Sequence, residues 1–293
     1  MSASASPRRE HPRILLLLAP ALVALGLLFG GGLLLGLARS FGYMPLLGLT
    51  EPNLDAYRAL FADGDFLASF ALTFYIAFVS TAVSAVLAIG AALILRRSFA
   101  GKRAMLFLFQ LNITIPHLVG AIGILYLFSQ SGAFARLARE LGMIAQPADF
   151  PALIYDPAAV GIILQYVWKE IPFIGIVVLA SLQAIGEDYE AAARSLGAGR
   201  WQRFRHVLLP LMAPGVIAAS VIVFAFTFGA YEIPALLGQH HPAALPVLAY
   251  RLYTDVDLAA RPQAMAMAMA ITLLCALLIA GYLYVARRWL RWS

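Results

Sequence analysis

The sequence predicts an all-α integral membrane protein of six transmembrane helices with both termini in the cytoplasm. Three observations lead there. Of 293 residues, 62% are hydrophobic and only 12% charged, with a mean hydropathy of +0.84; soluble domains run nearer 45–50% apolar and about 25% charged. The apolar residues fall into six runs, each long enough to cross about 30 Å of hydrocarbon. Finally, the basic residues alternate in density: segments on the side of the N-terminus hold 14 Lys and Arg, whereas the three loops on the other side hold 6. The positive-inside rule assigns the richer side to the cytoplasm. The pI near 9.6 therefore reads as membrane topology, and no nucleic-acid partner is expected.

Residues 1–13 are small, polar and basic (Arg8, Arg9, Arg13) and read as a cytoplasmic tail. The run 14–38 follows as a first anchor helix. Ala19-Pro20-Ala21 faintly resembles a signal-peptidase site, but it comes too early in a run that continues well past it, so an uncleaved anchor is expected. Gly26/Gly30 and Gly32/Gly36 have the spacing that lets another helix approach. A core of five further spans is expected over 54–285, with Leu54 to Ala62 as a surface helix. Phe66 to Leu95 is the second span. A basic turn (Arg96, Arg97, Lys102, Arg103) leads to the third, Met105 to Phe128, interrupted by Pro116. Ser129 to Pro157 lies outside, with a short amphipathic helix at Phe134 to Leu141. Ala158 to Ile185 is the fourth span and Gly215 to Gly238 the fifth. Gln239 to Pro262 reads as a polar loop, Gln263 to Val285 as the sixth span, and 286–293 as a basic cytoplasmic tail. Met265, Met267 and Met269 make no helical stripe and read as lipid or packing contacts. The single cysteine, Cys275, can form no internal disulfide.

Between the fourth and fifth spans, 186–214 is a polar island. Good helix formers from Asp188 to Leu196, with acids in front, predict a helix. Gly197 and Gly199 stop it, and Arg200 to Leu209 restarts one until Pro210 and Pro214 break or restart it. This reads as a cytoplasmic handle. Glu190-Ala191-Ala192, then Leu196-Gly197-Ala198, then Val207-x-Leu209-Pro210 resembles the "EAA loop" of permease subunits of binding-protein-dependent ABC importers. From Gly197 to Pro210 the spacing matches that pattern; upstream, the family's glutamate position is Ala191, and Glu190 stands one residue, about 100° of helix, earlier. Over 54–285 the whole arrangement is similar to Type I importer permeases. The segment Pro234-Ala235-Leu236-Leu237-Gly238 is similar to the spermidine/putrescine branch, although Glu232-Ile233 departs from it.

The resemblance implies a permease that forms the translocation pathway and is coupled through Glu190, Ala191, Ala192, Gly197, Ala198, Leu209 and Pro210 to a separate ATPase. The implied partners are two cytoplasmic ABC ATPase subunits, a second permease subunit expected to be non-identical, and a periplasmic solute-binding protein, all in or against a bacterial inner membrane. The implied substrate is a polyamine or another small polar solute.

Absences in the sequence agree. No Gly-x-x-x-x-Gly-Lys-Ser/Thr occurs, so ATP has to be bound by a partner and no cofactor is expected. No His-Glu-x-x-His or Gly-x-Ser-x-Gly occurs either, and neither catalytic nor metal-binding residues are expected. Ser129-Gln130-Ser131-Gly132 is a near miss for an intramembrane protease, and His240-His241 lacks neighbouring ligands. A secondary transporter would show internal repeats, which are not seen. The informative polar residues are intramembrane: Gln165, Lys169 and Glu170 in the fourth span, Tyr231 and Glu232 in the fifth. A charge in hydrocarbon costs at least about 2.5–3.5 kcal/mol, so these groups should face a partner or a wet path. They are the candidates to line the pathway; the alternative is a structural pair, Lys169 with Glu232.

Overall fold

The structure, a computed structural model, describes residues 10–45, 48–186 and 188–290. The expected tail at 1–9, Glu187 of the handle and residues 291–293 lie outside the described residues. In chain order the helices are α1 (Glu10–Leu25), continued through one wide turn (Gly26–Gly30) into α2 (Gly31–Ser40), α3 (Asp55–Ala62), α4 (Gly64–Leu95), α5 (Lys102–Thr114), α6 (His117–Phe128) and α7 (Ala133–Glu140). They continue with α8 (Val160–Ile185), α9 (Asp188–Ser195), α10 (Arg200–Arg203), α11 (Leu209–Gly229), α12 (Glu232–Leu237), α13 (Leu245–Tyr253) and α14 (Arg261–Leu290). Among the described residues, six helical stretches are long and apolar enough to cross a membrane, as the sequence predicts.

Two compact units are distinguished, Met1–Asp63 with Ala249–Ala270, and Gly64–Leu248 with Ile271–Ser293. This division differs from the expected anchor helix followed by a core over 54–285. In the first unit, Tyr57 of α3 donates its hydroxyl to Ser40 Oγ at 2.8 Å, and Ser40 donates to the Leu37 carbonyl at 2.7 Å. Ala56 and Leu60 of α3 are buried. Of the four glycines spaced for close approach, Gly26, Gly30 and Gly32 meet nothing, and Gly36 faces Met265 and Met269 of α14. Those methionines are four residues apart and share a helical face, which makes them packing contacts.

The second unit is organised by α4 and α8. On α4, Ser69, Thr73, Ala77, Ser80, Ser84, Ala88 and Ala92 recur at helical spacing and are buried. Such a stripe of small residues lets backbones approach closely in a membrane, where dispersion contacts rather than hydrophobic driving force hold helices together. One apolar core joins Ile76 of α4, Ala121 and Ile124 of α6, Ile162 and Tyr166 of α8, and Ile233 and Leu237 of α12. The other joins Ala88 and Ala92 of α4, Ile174, Val178 and Leu182 of α8, and Met212, Ala219 and Val223 of α11. Of the span-length helices α8 is the most enclosed, with 56% of its apolar window buried against 6% for the first span.

Three expectations are corrected. The fifth span does not run unbroken to Gly238: α11 ends at Gly229, Ala230 is extended, and α12 begins afresh. Conversely, Pro210 and Pro214 do not break the chain. The wide turn Phe204–Leu208 just before Pro210 absorbs the misfit of its missing N–H, so Arg200–Gly229 is continuously helical. Last, the loop expected at Gln239 to Pro262 is partly interior. Ala243, Ala244, Leu245 and Val247 are buried, and the Leu245 N–H donates to Thr73 Oγ1 at 2.7 Å. This apolar stretch is too short to register as a span, and Thr73 supplies the acceptor its backbone needs away from water.

Candidate functional site

Two polar places stand out in the second unit, and the first is the handle. Helix α9 ends in a Schellman motif: Gly197 has φ +84°, its N–H donates to the Arg194 carbonyl at 3.0 Å, and the Ala198 N–H reaches back to Ala193 at 3.0 Å. Glycine is what this left-handed position calls for. The next helix starts at once, because Gln202 Oε1 accepts from the Gly199 N–H at 2.7 Å and caps α10. Leu209 and Pro210 open α11, so the handle's second arm passes directly into the fifth span.

Glu190 of α9 turns inward. Its carboxylate pairs with Arg96 at the end of α4 and stands 4.0 Å from Arg203 Nε of α10, with only 16% of the side chain exposed. Ala191 and Ala192 are exposed. The handle also carries Tyr189, Leu196 and Trp201, exposed by 59%, 88% and 69%. Sequence reasoning passed over Arg96, Tyr189 and Trp201. The signal available was aromatic residues flanking an otherwise polar loop.

The second place is the break in the third span. Pro116 has no N–H and disfavours helix in the residue before it, so α5 stops at Thr114, Ile115 is extended, and α6 starts at His117. The break leaves carbonyls at the end of α5 short of helical donors in a membrane interior, although the Asn112 carbonyl still accepts from the Ile115 N–H at 3.2 Å. Lys169 of α8 supplies them: its Nζ donates to the carbonyls of Asn112, Ile113 and Ile115, which uses all three ammonium hydrogens. Asn112 Nδ2 returns a bond to the Trp168 carbonyl at 2.6 Å. Gln165 Nε2 donates to the His117 carbonyl at 3.0 Å, and His117 Nε2 lies 3.1 Å from Glu170 Oε1. The imidazole also lies against the Phe226 ring, at a centroid distance of 4.9 Å. Gly120 permits this closeness, since a Cβ there would sit 2.6 Å from Gln165 Nε2 and 2.7 Å from Trp168.

The alternative of a structural Lys169–Glu232 pair is therefore not what the structure shows. Lys169 and Glu170 are buried and partnered through α5 and His117, and no ion pair joins Lys169 to Glu232 among the described residues. Tyr231 and Glu232 lie where α12 begins, and both are exposed. Among the described residues no cluster of His, Cys, Asp and Glu is arranged to hold a metal.

With this geometry in view, the chain matches over residues 84–291 the family described as binding-protein-dependent transport system inner membrane component. The chain belongs to that family. It is thus a multi-pass bacterial inner membrane permease, a non-catalytic subunit. The permease is 27% identical to the molybdenum transport permease ModB of Mycobacterium tuberculosis, over 82% of this chain and 88% of that one. It is 30% identical to the inner membrane ABC transporter permease YcjO of Escherichia coli, over 74% and 75%. A probable sulfate transport permease of Marchantia polymorpha is 24% identical over 65% of this chain, and the alignment spans 63% of that relative's length. In fold the permease is similar to a chain of a bacterial alginate ABC importer, with TM-score 0.77, 22% identity and coverage of 96% and 98%. It is also similar to a chain of the MetNI methionine transporter, with TM-score 0.55, 20% identity and coverage of 76% and 94%.

Proposed function

We propose that this permease lines the solute pathway of an ABC importer and receives the work of ATP hydrolysis through the handle 186–214. The observation that carries the reading is the handle's construction. Glu190 ties α9 inward to Arg96, while Tyr189, Leu196 and Trp201 stand in the open on an otherwise polar turn. A short helix with exposed apolar anchors suits a groove on a soluble partner. On this reading the partners are two cytoplasmic ATPase subunits, which bind the ATP, a second and non-identical permease, and a periplasmic solute-binding protein. The handle and both termini then face the cytoplasm.

Closure of the ATPases would move the two handles, and the continuous helix from Arg200 to Gly229 would carry that motion into the fifth span. Tyr231 and Glu232 are assigned to the solute pathway, because they are exposed at the beginning of α12. Gln165, Lys169 and Glu170 are assigned to holding the broken third span beside it. The substrate is proposed as a small polar solute. The named relatives carry molybdenum, sulfate or trehalose, and the polyamine reading rests on the α12 segment alone.

Gly197→Asp tests the coupling role, since φ +84° strains any side chain there. The variant is expected to insert and to bind the ATPase, but ATP hydrolysis should no longer depend on solute-loaded binding protein. Uptake in proteoliposomes should fall at least tenfold. Uptake at the wild-type rate would remove the handle from the mechanism.

A further inference from the structure

Between the handle and the end of α4 lies a cavity of about 850 Å³. Its walls carry the guanidinium groups of Arg96, Arg97, Arg194, Arg200 and Arg203 against a single carboxylate, that of Glu190. Glu190 is already committed to Arg96 and Arg203. Arg97, Arg194 and Arg200 are exposed, and among the described residues no acidic side chain pairs with them. Arg203 adds a buried Nε with no hydrogen-bond acceptor. Ser98 and Ala191 line it too, and Leu93, Phe204 and Leu208 give it an apolar wall.

The position matters as much as the charge. Leu95 is the last helical residue of an apolar span, so the arginines stand at the level where hydrocarbon gives way to water. Trp201, a residue type enriched at that boundary, lies beside them in α10. Guanidinium forks match phosphate oxygens bidentately, and a concave surface of one sign concentrates counter-ions. We propose that this pocket binds a phosphate-bearing anion at the membrane surface. Two sources share that chemistry, the headgroup of an anionic phospholipid and free inorganic phosphate. The apolar wall is the feature that would accept the first carbons of an acyl chain. The inference is independent of the coupling role, because binding is measured without ATPase subunits.

The test uses the full chain in detergent. Dioctanoyl phosphatidylglycerol, dioctanoyl phosphatidylcholine and inorganic phosphate are titrated separately while thermal unfolding is followed. The wild type is compared with Arg97→Gln/Arg194→Gln/Arg200→Gln and with Arg205→Gln, which lies on the handle outside the pocket. A saturable rise in Tm with phosphatidylglycerol but not phosphatidylcholine, weakened at least tenfold in the triple variant and retained in Arg205→Gln, supports a lipid occupant. The same pattern with inorganic phosphate, and no further gain from the lipid, supports a free anion. Equal responses of wild type and triple variant, or no response to either anion, overturn the proposal, and would leave the arginines to the surface of a protein partner. Because the three arginines substituted are exposed, loss of fold is not expected; a wild-type Tm without ligand verifies this before titration.

Discussion

The permease meets charge in two places and handles it in opposite ways. At the break in the third span, one ammonium is matched to three backbone carbonyls and one carboxylate to one imidazole. Between the handle and the end of α4, five arginines line a cavity with one carboxylate. The first arrangement gives each of its ionisable groups a partner, in a low-dielectric interior where an unmatched one is expensive. The second lies where water reaches, and there a surplus of one sign is tolerable and available for binding. Charge buried to completion holds structure together; charge left over recruits something else.

The largest effect should come from breaking the first arrangement. Lys169→Met strips the donor from the end of α5, and unsatisfied buried carbonyls cost about 1–3 kcal/mol each, with some relief as the chain relaxes. A loss of about 3 kcal/mol is expected, read as a lowered unfolding midpoint in detergent. Exchanging the charges, Lys169→Glu with Glu232→Lys, should give no rescue. Restoration by that double variant would mean that the two residues pair after all.

The handle should yield less. Glu190→Ala and Arg96→Ala are each expected to destabilise modestly. Their double-mutant cycle should give a coupling of about 1 kcal/mol, above a fully exposed pair because both side chains are mostly covered, and reduced in high salt. A coupling near zero would mean that Glu190 does not hold the handle to α4.

The smallest effect is outside the membrane. Asp149 accepts from the Gln146 and Ala145 N–H groups at 3.0 Å each, and these bonds, that from Gln146 foremost, hold its carboxyl below the usual carboxylate range. A group depressed in the folded state adds stability above its unfolded pKa and loses it as pH falls through the folded value. Protection of the Ala145 and Gln146 amides, corrected for intrinsic exchange, should therefore persist at neutral pH and fade only below about pH 4. Asp149→Asn should weaken it at neutral pH. Such a response would set an exposed turn beside the two charged regions above.

The spans were legible because hydrophobic runs register directly in sequence, and so was the handle, whose glycines and acids sit at fixed local offsets. The partners of Lys169 were not. They are backbone carbonyls 54 to 57 residues upstream, and a carbonyl has no letter in the sequence; only Pro116 marked where some would be orphaned. The division of α11 from α12 was hidden because Gly215 to Gly238 is apolar apart from a few polar residues such as Tyr231 and Glu232, and so reads as a single hydropathy run. The burial of Ala243 to Val247 was missed for the converse reason, since too few residues are involved for a window of hydropathy to register. The inward turn of Glu190 depends on Arg96, a residue 94 positions away.

The unbroken helix from Arg200 to Gly229 has a mechanical meaning. Thirty residues make a rod about 45 Å long at 1.5 Å per residue. Tilting such a rod by about 5° about one end displaces the other by about 4 Å, by that same length. The wide turn at Phe204–Leu208 is where the rod is softest, so stiffening or loosening those five residues would set how much of a sideways push at Arg200 arrives at Gly229.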